Sequence, residues 1–134
     1  MSIIEKWESY RKNQTHPANV NGYGVEYVYV VYNHYTKLHK IGMTNDFDKR
    51  YSSLITTSGV NLEVVLLIKL SKSIDESASS LEQFLHNYFE NKRGIGEWFN
   101  LNKRDIQFIR DLFWESIIGE DIWDEKVSYP YLTN

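Results

Sequence analysis

The stretch that most constrains this chain runs from Glu26 to Arg50: E-Y-V-Y-V-V-Y-N, a polar break, L-H-K-I-G-M-T, then N-D-F-D-K-R. Residues 26 to 33 are mostly aromatic and β-branched, a composition that suits a pleated, half-buried surface. Asn33 to Lys37 interrupt that run with turn formers, so the flanking segments read as a hairpin. With Asn33 paired to Leu38 across a four-residue loop, the antiparallel register sets Val31 opposite Lys40 and Tyr29 opposite Gly42. Side chains alternate between faces, so Tyr27, Tyr29, Val31, Leu38, Lys40 and Gly42 share one face. Tyr29 and Lys40 are then diagonal neighbours. A phenol, an ammonium and a bare glycine pack a core badly, but they make a workable floor for a site.

A chain of 134 residues is one domain by the usual size argument and long enough to bury a core. Apolar types at 42% and aromatics at 15% exclude a disordered chain. The absence of cysteine removes disulfides, thiolate chemistry and cysteine-ligated zinc. No apolar run reaches the length of a membrane span, and M-S-I-I-E-K-W-E lacks a signal-peptide core, so a cytoplasmic protein is expected. The formal charge of −3 argues against a nucleic-acid binder only until its distribution is read. Residues 115–134 carry a net −4, which leaves the first 114 at +1 and leaves room for a local basic face.

Three regions are expected: residues 1–24 as an N-terminal helix and linker, 25–118 as the main domain, and 119–134 as an acidic, aromatic tail. In the first, Ile3, Trp7 and Tyr10 fall on one helical stripe, and 13–24 are rich in Asn, Pro and Gly. After the hairpin, Asn45 or Asp46 caps a helix to about Thr57 with Phe47, Tyr51 and Leu54 on its apolar face. Arg50 lies in or beside that face. Residues 62–70 read as a third strand, apolar almost throughout and therefore central. A capping box at Ser73 and Glu76 starts a helix to about Asn91 that buries Ala78, Leu81, Leu85 and Phe89, with Glu82 at the edge of the buried arc. A last helix runs from about Asn102 to Ile117.

Tyr29, Lys40, Arg50 and Glu82 are residue types that together could hydrolyse a phosphodiester. An arginine offers a fixed fork of donors to phosphate, and a glutamate offers a hard oxygen to Mg²⁺. A tyrosine or lysine can polarise water. Taken singly, each has an ordinary structural role. Tyr29 can pack, Lys40 can snorkel, Arg50 can pair with Asp46, and Glu82 can pair with His86. His34, His39 and His86 show no H-x-x-x-H or H-E-x-x-H spacing, which argues against zinc. Composition and periodicity thus permit a phosphate site without selecting one.

The order Y-V-Y, K-I-G-M-T-N-D-F-D-K-R, L-E-Q-F-L-H-N-Y-F and G-E-W-F, over residues 26–101, resembles the GIY-YIG nuclease superfamily. It is most similar to the phage and bacterial branch with K-I-G in the second motif. The resemblance implies a small α+β (α/β) domain, with a three-stranded antiparallel sheet flanked by helices. It also implies a Mg²⁺- or Mn²⁺-dependent endonuclease acting on nucleic acid, with DNA the leading substrate. In these terms Tyr29 stands as activator of the attacking water and Lys40 replaces a motif tyrosine, orienting water or contacting phosphate. Arg50 stands as the transition-state cation and Glu82 as the metal ligand. Thr44, Asn45 and Arg93 are candidate substrate contacts, and Asn91 or Asn100 is the candidate late asparagine. The alternative from another class is a non-catalytic nucleic-acid- or protein-binding module. The acidic tail is a candidate surface for a protein partner.

Overall fold

A computed structural model describes residues 2–12, 25–71, 78–116 and 120–121. The chain order is α1 (Ile3–Lys12), β1 (Val25–Asn33), β2 (Leu38–Thr44), α2 (Phe47–Ser58), β3 (Leu62–Ser71), α3 (Ala78–Tyr88), a 3₁₀ turn (Glu90–Lys92), β4 (Trp98–Phe99), α4 (Lys103–Ser116) and β5 (Glu120–Asp121). All strand pairs are antiparallel, in the order β4-β2-β1-β3-β5. The class is α+β, as expected. The sheet is wider than the three strands expected, because the two-residue β4 and β5 add an edge on each side. Segments that short carry no periodicity of their own. The central strand is β1, whereas its apolar run had pointed to β3.

The β1–β2 hairpin has the register read from the sequence, with Asn33 opposite Leu38, Val31 opposite Lys40 and Tyr29 opposite Gly42. Its turn is fixed by Asn33, whose Oδ1 accepts the N–H groups of Tyr35 (2.8 Å) and Thr36 (3.1 Å). Between β1 and β3 the register shifts at Val30/Val31, where β3 carries an extra residue. The bulge explains why β3 is apolar in nearly every position. It sends Leu62, Val64 and Leu67 to the Tyr29 face, and Leu66 and Ile68 to the other.

Two cores result. On one face Tyr29, Val31, Leu62, Val64 and Leu67 pack under Phe47 and Tyr51 of α2. That helix is capped by Asp46, which accepts Lys49 N–H (3.1 Å), and it stops at Gly59, whose φ of 71° favours glycine. On the other face Val28, Val30, Ile41, Leu66 and Ile68 pack under α1, α3 and α4. The α1 stripe enters this core as its spacing predicts. Ile3 and Trp7 are buried, and Tyr10 is packed against them. Ala78, Leu81, Leu85, Phe89, Ile106 and Ile109 are buried as expected. The Ser73–Glu76 box, the 13–24 linker, Ile117 and residues 122–134 of the tail lie outside the described residues.

Candidate active site at the open edge of the sheet

The short β4 decides where a site can form. It pairs with β2 only at His39 and Lys40, and Ile41 N–H then donates to the Glu97 carbonyl (3.2 Å). Beyond that point β2 is an edge, and its outward backbone groups need other partners. Helix α3 supplies them. His86 Nε2 donates to the Ile41 carbonyl (2.9 Å), and Met43 N–H donates to the Glu82 carboxylate. Glu82 and His86 are one helical turn apart, so a single helix face satisfies two alternate positions of the strand edge.

The same geometry crowds acids together. One carboxylate oxygen from each of Glu82 and Glu97 and one ring nitrogen of His86 lie within 4.8 Å of one another. Burial and the neighbouring Glu97 push the Glu82 carboxyl above its usual range, opposed by His86, Lys40 and the Met43 N–H. Lys40 Nζ donates to Glu97 Oε2 (2.9 Å), and its side chain is only 14% exposed. The His86 ring packs against Phe99 with centroids 5.2 Å apart. Of the residues singled out in the sequence, Glu82 and Lys40 meet here.

Tyr29 joins from the face that α2 covers. It is 1% exposed, with its ring tilted against Phe47. A Cβ at Gly42 would collide with the hydroxyl end of that ring, so the K-I-G glycine is where the phenol lies across β2. Burial pushes the phenol up to about 12, while the charge and hydrogen bond of Arg50 pull it down. Glu97 and Glu82 add to the rise, so the phenol, the guanidinium and both carboxylates lie within electrostatic reach. Arg50 stands on the first turns of α2, beside a small cleft lined by Thr44, Asn45, Asp46 and Ser53.

The remaining candidates are placed less centrally. Thr44 Oγ1 is engaged with the backbone of Asp46, donating to its carbonyl and accepting its N–H (3.1 Å each). Asn45 is exposed on the Arg50 cleft. Arg93 binds its own loop through Glu90 Oε2 (3.1 Å) and the Gly96 carbonyl (3.2 Å), with its guanidinium over Phe99. Asn91 is exposed in the 3₁₀ turn. Asn100 lines a cleft of about 860 Å³ with Tyr32, His39 and Arg110. Sequence reasoning left Glu97 without a role and gave His86 only a pairing one. The signals were present: an E-x-x-x-H spacing on one helix, and an acid inside the quoted G-E-W-F segment.

Fold and site together define an α+β domain with paired acids and two cations gathered at a sheet edge. The family model of the T5orf172 domain matches residues 26–114, and the chain belongs to that family. No curated protein and no solved structure matches the chain. The resemblance to GIY-YIG nucleases is corrected by this finding, because the matching family is a different one and no GIY-YIG model matches. The motifs behind it were three or four residues long, and a hairpin lysine-glycine or a helix arginine is too common to separate families. The T5orf172 family is nuclease-like and DNA-binding, which makes a nucleic-acid-related function the class that membership supports. No helix among the described residues is long and apolar enough to cross a membrane.

Proposed function

We infer that this protein is a divalent-metal-dependent endonuclease that hydrolyses a phosphodiester, with DNA as substrate. The observation that carries this reading is the convergence of the Glu82 and Glu97 carboxylates with His86 at the β2 edge, beside the Tyr29 phenol lying across Gly42. The donor set fits a divalent cation. Two carboxylates and an imidazole converge, and burial first, then the adjoining Glu97, raises the Glu82 carboxyl. A metal ion held there supplies Lewis-acid stabilisation of charge developing on the phosphoryl oxygens.

The chain's own groups do the rest. A phenol pushed up to about 12 keeps its proton at neutral pH. Tyr29 therefore orients the attacking water through its oxygen and hands a proton onward, and it is not a standing phenolate. Arg50 uses one donor on Tyr29 and presents the rest of its fork to the phosphate, where negative charge grows. Lys40, tied to Glu97, orients water and contacts phosphate. Asn45 and Thr44, on the Arg50 cleft, and Arg93 are the proposed contacts to the substrate backbone. The test is supercoiled plasmid incubated with the protein and Mg²⁺, Mn²⁺ or EDTA, beside Glu82→Ala and Tyr29→Phe. Nicking that needs a divalent ion and disappears in both variants is expected. Metal-independent nicking, or a fully active Tyr29→Phe, overturns the reading.

A further inference from the structure

We propose that Glu82, His86 and Glu97 together form a mixed nitrogen–oxygen metal centre that selects a first-row transition ion such as Mn²⁺ over Mg²⁺. The inference rests on the metal-dependent reading above and narrows it from one glutamate to three ligands.

Two observations carry it independently. The first is the convergence, within 4.8 Å, of one carboxylate oxygen from each of Glu82 and Glu97 and one ring nitrogen of His86, from α3 and the loop before β4. The second is the state of His86. It is only 6% exposed and its ring packs on Phe99, a place an apolar side chain could fill unless the ring nitrogens are used. Its Nε2 donates to the Ile41 carbonyl, an acceptor only, so the neutral ring carries its lone pair on Nδ1. An imidazole whose other nitrogen is fixed by a backbone carbonyl is how metal-ligating histidines are commonly oriented. Glu97 is held in turn by Lys40 through Oε2, leaving its second oxygen for a metal.

The ligand chemistry then decides the ion. Mg²⁺ takes oxygen ligands, keeps its waters and gains little from an imidazole. Transition ions accept imidazole and carboxylate together, with affinities rising from Mn²⁺ onwards. A centre of two carboxylates and one imidazole also leaves coordination positions open for a phosphate and a water.

The full chain, its His86→Gln variant and its Glu97→Gln variant are titrated with MnCl₂ and MgCl₂ by calorimetry. Nitrogen coupling to bound Mn²⁺ is read by pulsed electron paramagnetic resonance. In His86→Gln the amide can still donate to Ile41, and in Glu97→Gln the amide oxygen can still accept from Lys40. The parent is expected to bind Mn²⁺ at least about tenfold more tightly than Mg²⁺ and to show the nitrogen signal. His86→Gln should lose the signal and close most of that gap, and Glu97→Gln should weaken both ions by about tenfold or more. Mn²⁺ binding without nitrogen coupling, or an unchanged Mn²⁺/Mg²⁺ ratio in His86→Gln, overturns the three-ligand centre and leaves Glu82-dependent nicking standing. Failure of the parent to bind either ion overturns both. Should His86→Gln fail to fold, the nitrogen signal of the parent decides.

Discussion

Two charged clusters sit on the helix-covered side of this domain, and they solve burial differently. At the start of α4, Asp105 is 5% exposed and accepts Asn102 N–H (2.9 Å) and Lys92 Nζ (2.6 Å), while its own N–H donates to Asn102 Oδ1 (2.9 Å). One acid, one cation and a reciprocal cap close the account of charges and donors. At the edge of β2, two carboxylates and a histidine lie together with Lys40 bound to Glu97, and Glu82 is pushed up by burial and then by Glu97. Burial of polar groups is common to both. On the proposed reading, what separates a structural network from a reactive one is a second acid placed so that the pair can take up a metal ion.

That contrast can be broken in four places. Glu82→Gln should lower cleavage by about a thousandfold or more and abolish metal binding, with circular dichroism unchanged, because the amide lacks the charge. Retained nicking in that variant would remove the β2 edge as the reactive cluster. Arg50→Lys keeps a cation and loses the fork, so turnover should fall by about a hundredfold while binding at low salt weakens little. Weaker binding with normal turnover at saturation would make Arg50 a positioning contact instead.

On the closed cluster the expected losses are of stability. Asp105→Ala should cost about 2 kcal/mol in urea unfolding, through the lost cap and the unpaired lysine, with cleavage at 20 °C (roughly room temperature) unaltered. A loss of activity at unchanged stability would contradict the division drawn here. The smallest effect is one of pH. His39 borders this cluster, 9% exposed, and burial lowers it from 6.5 to about 4 against an opposing Asp105. The unfolded chain therefore takes up a proton before the folded one does. Stability should fall as pH drops from about 6.5 towards 4, by at most about 1.4 kcal/mol per unit. Melting temperatures of the parent and His39→Leu across that range check it, and a parent as flat as the variant contradicts it.

Much of the fold was legible because it is written in short-range pattern. The hairpin register followed from turn chemistry at Asn33 and alternation along Tyr27–Val31, and α1 from the Ile3, Trp7, Tyr10 spacing. The two edge strands were not legible. Trp98–Phe99 and Glu120–Asp121 are paired by tertiary placement, and no periodicity can be read from two residues. The same limit hid half of the site. Tyr29 and Lys40 come together through a register that turn chemistry can give. Glu97 reaches Glu82 only because β4 ends where it does, and His86 acquires its orientation from a carbonyl 45 residues away in sequence. The short motifs at Lys40–Gly42 and Arg50 report local geometry, and that is why they pointed to a different family.

The open edge of β2 also bears on whether copies of this protein can add to one another. An unpaired strand edge is a template onto which another chain can add, and proteins commonly blunt such edges with charge. Here the blunting groups are Glu82 and His86, bound to the Met43 N–H and the Ile41 carbonyl. The proposed chemistry and resistance to strand addition would thus draw on the same two side chains. Replacing both by alanine should produce concentration-dependent light scattering that neither conservative amide variant shows. A double variant that stays monodisperse would mean that the edge is guarded by helix packing alone. If Glu82 holds a cation as proposed, colloidal stability and turnover cannot be tuned independently.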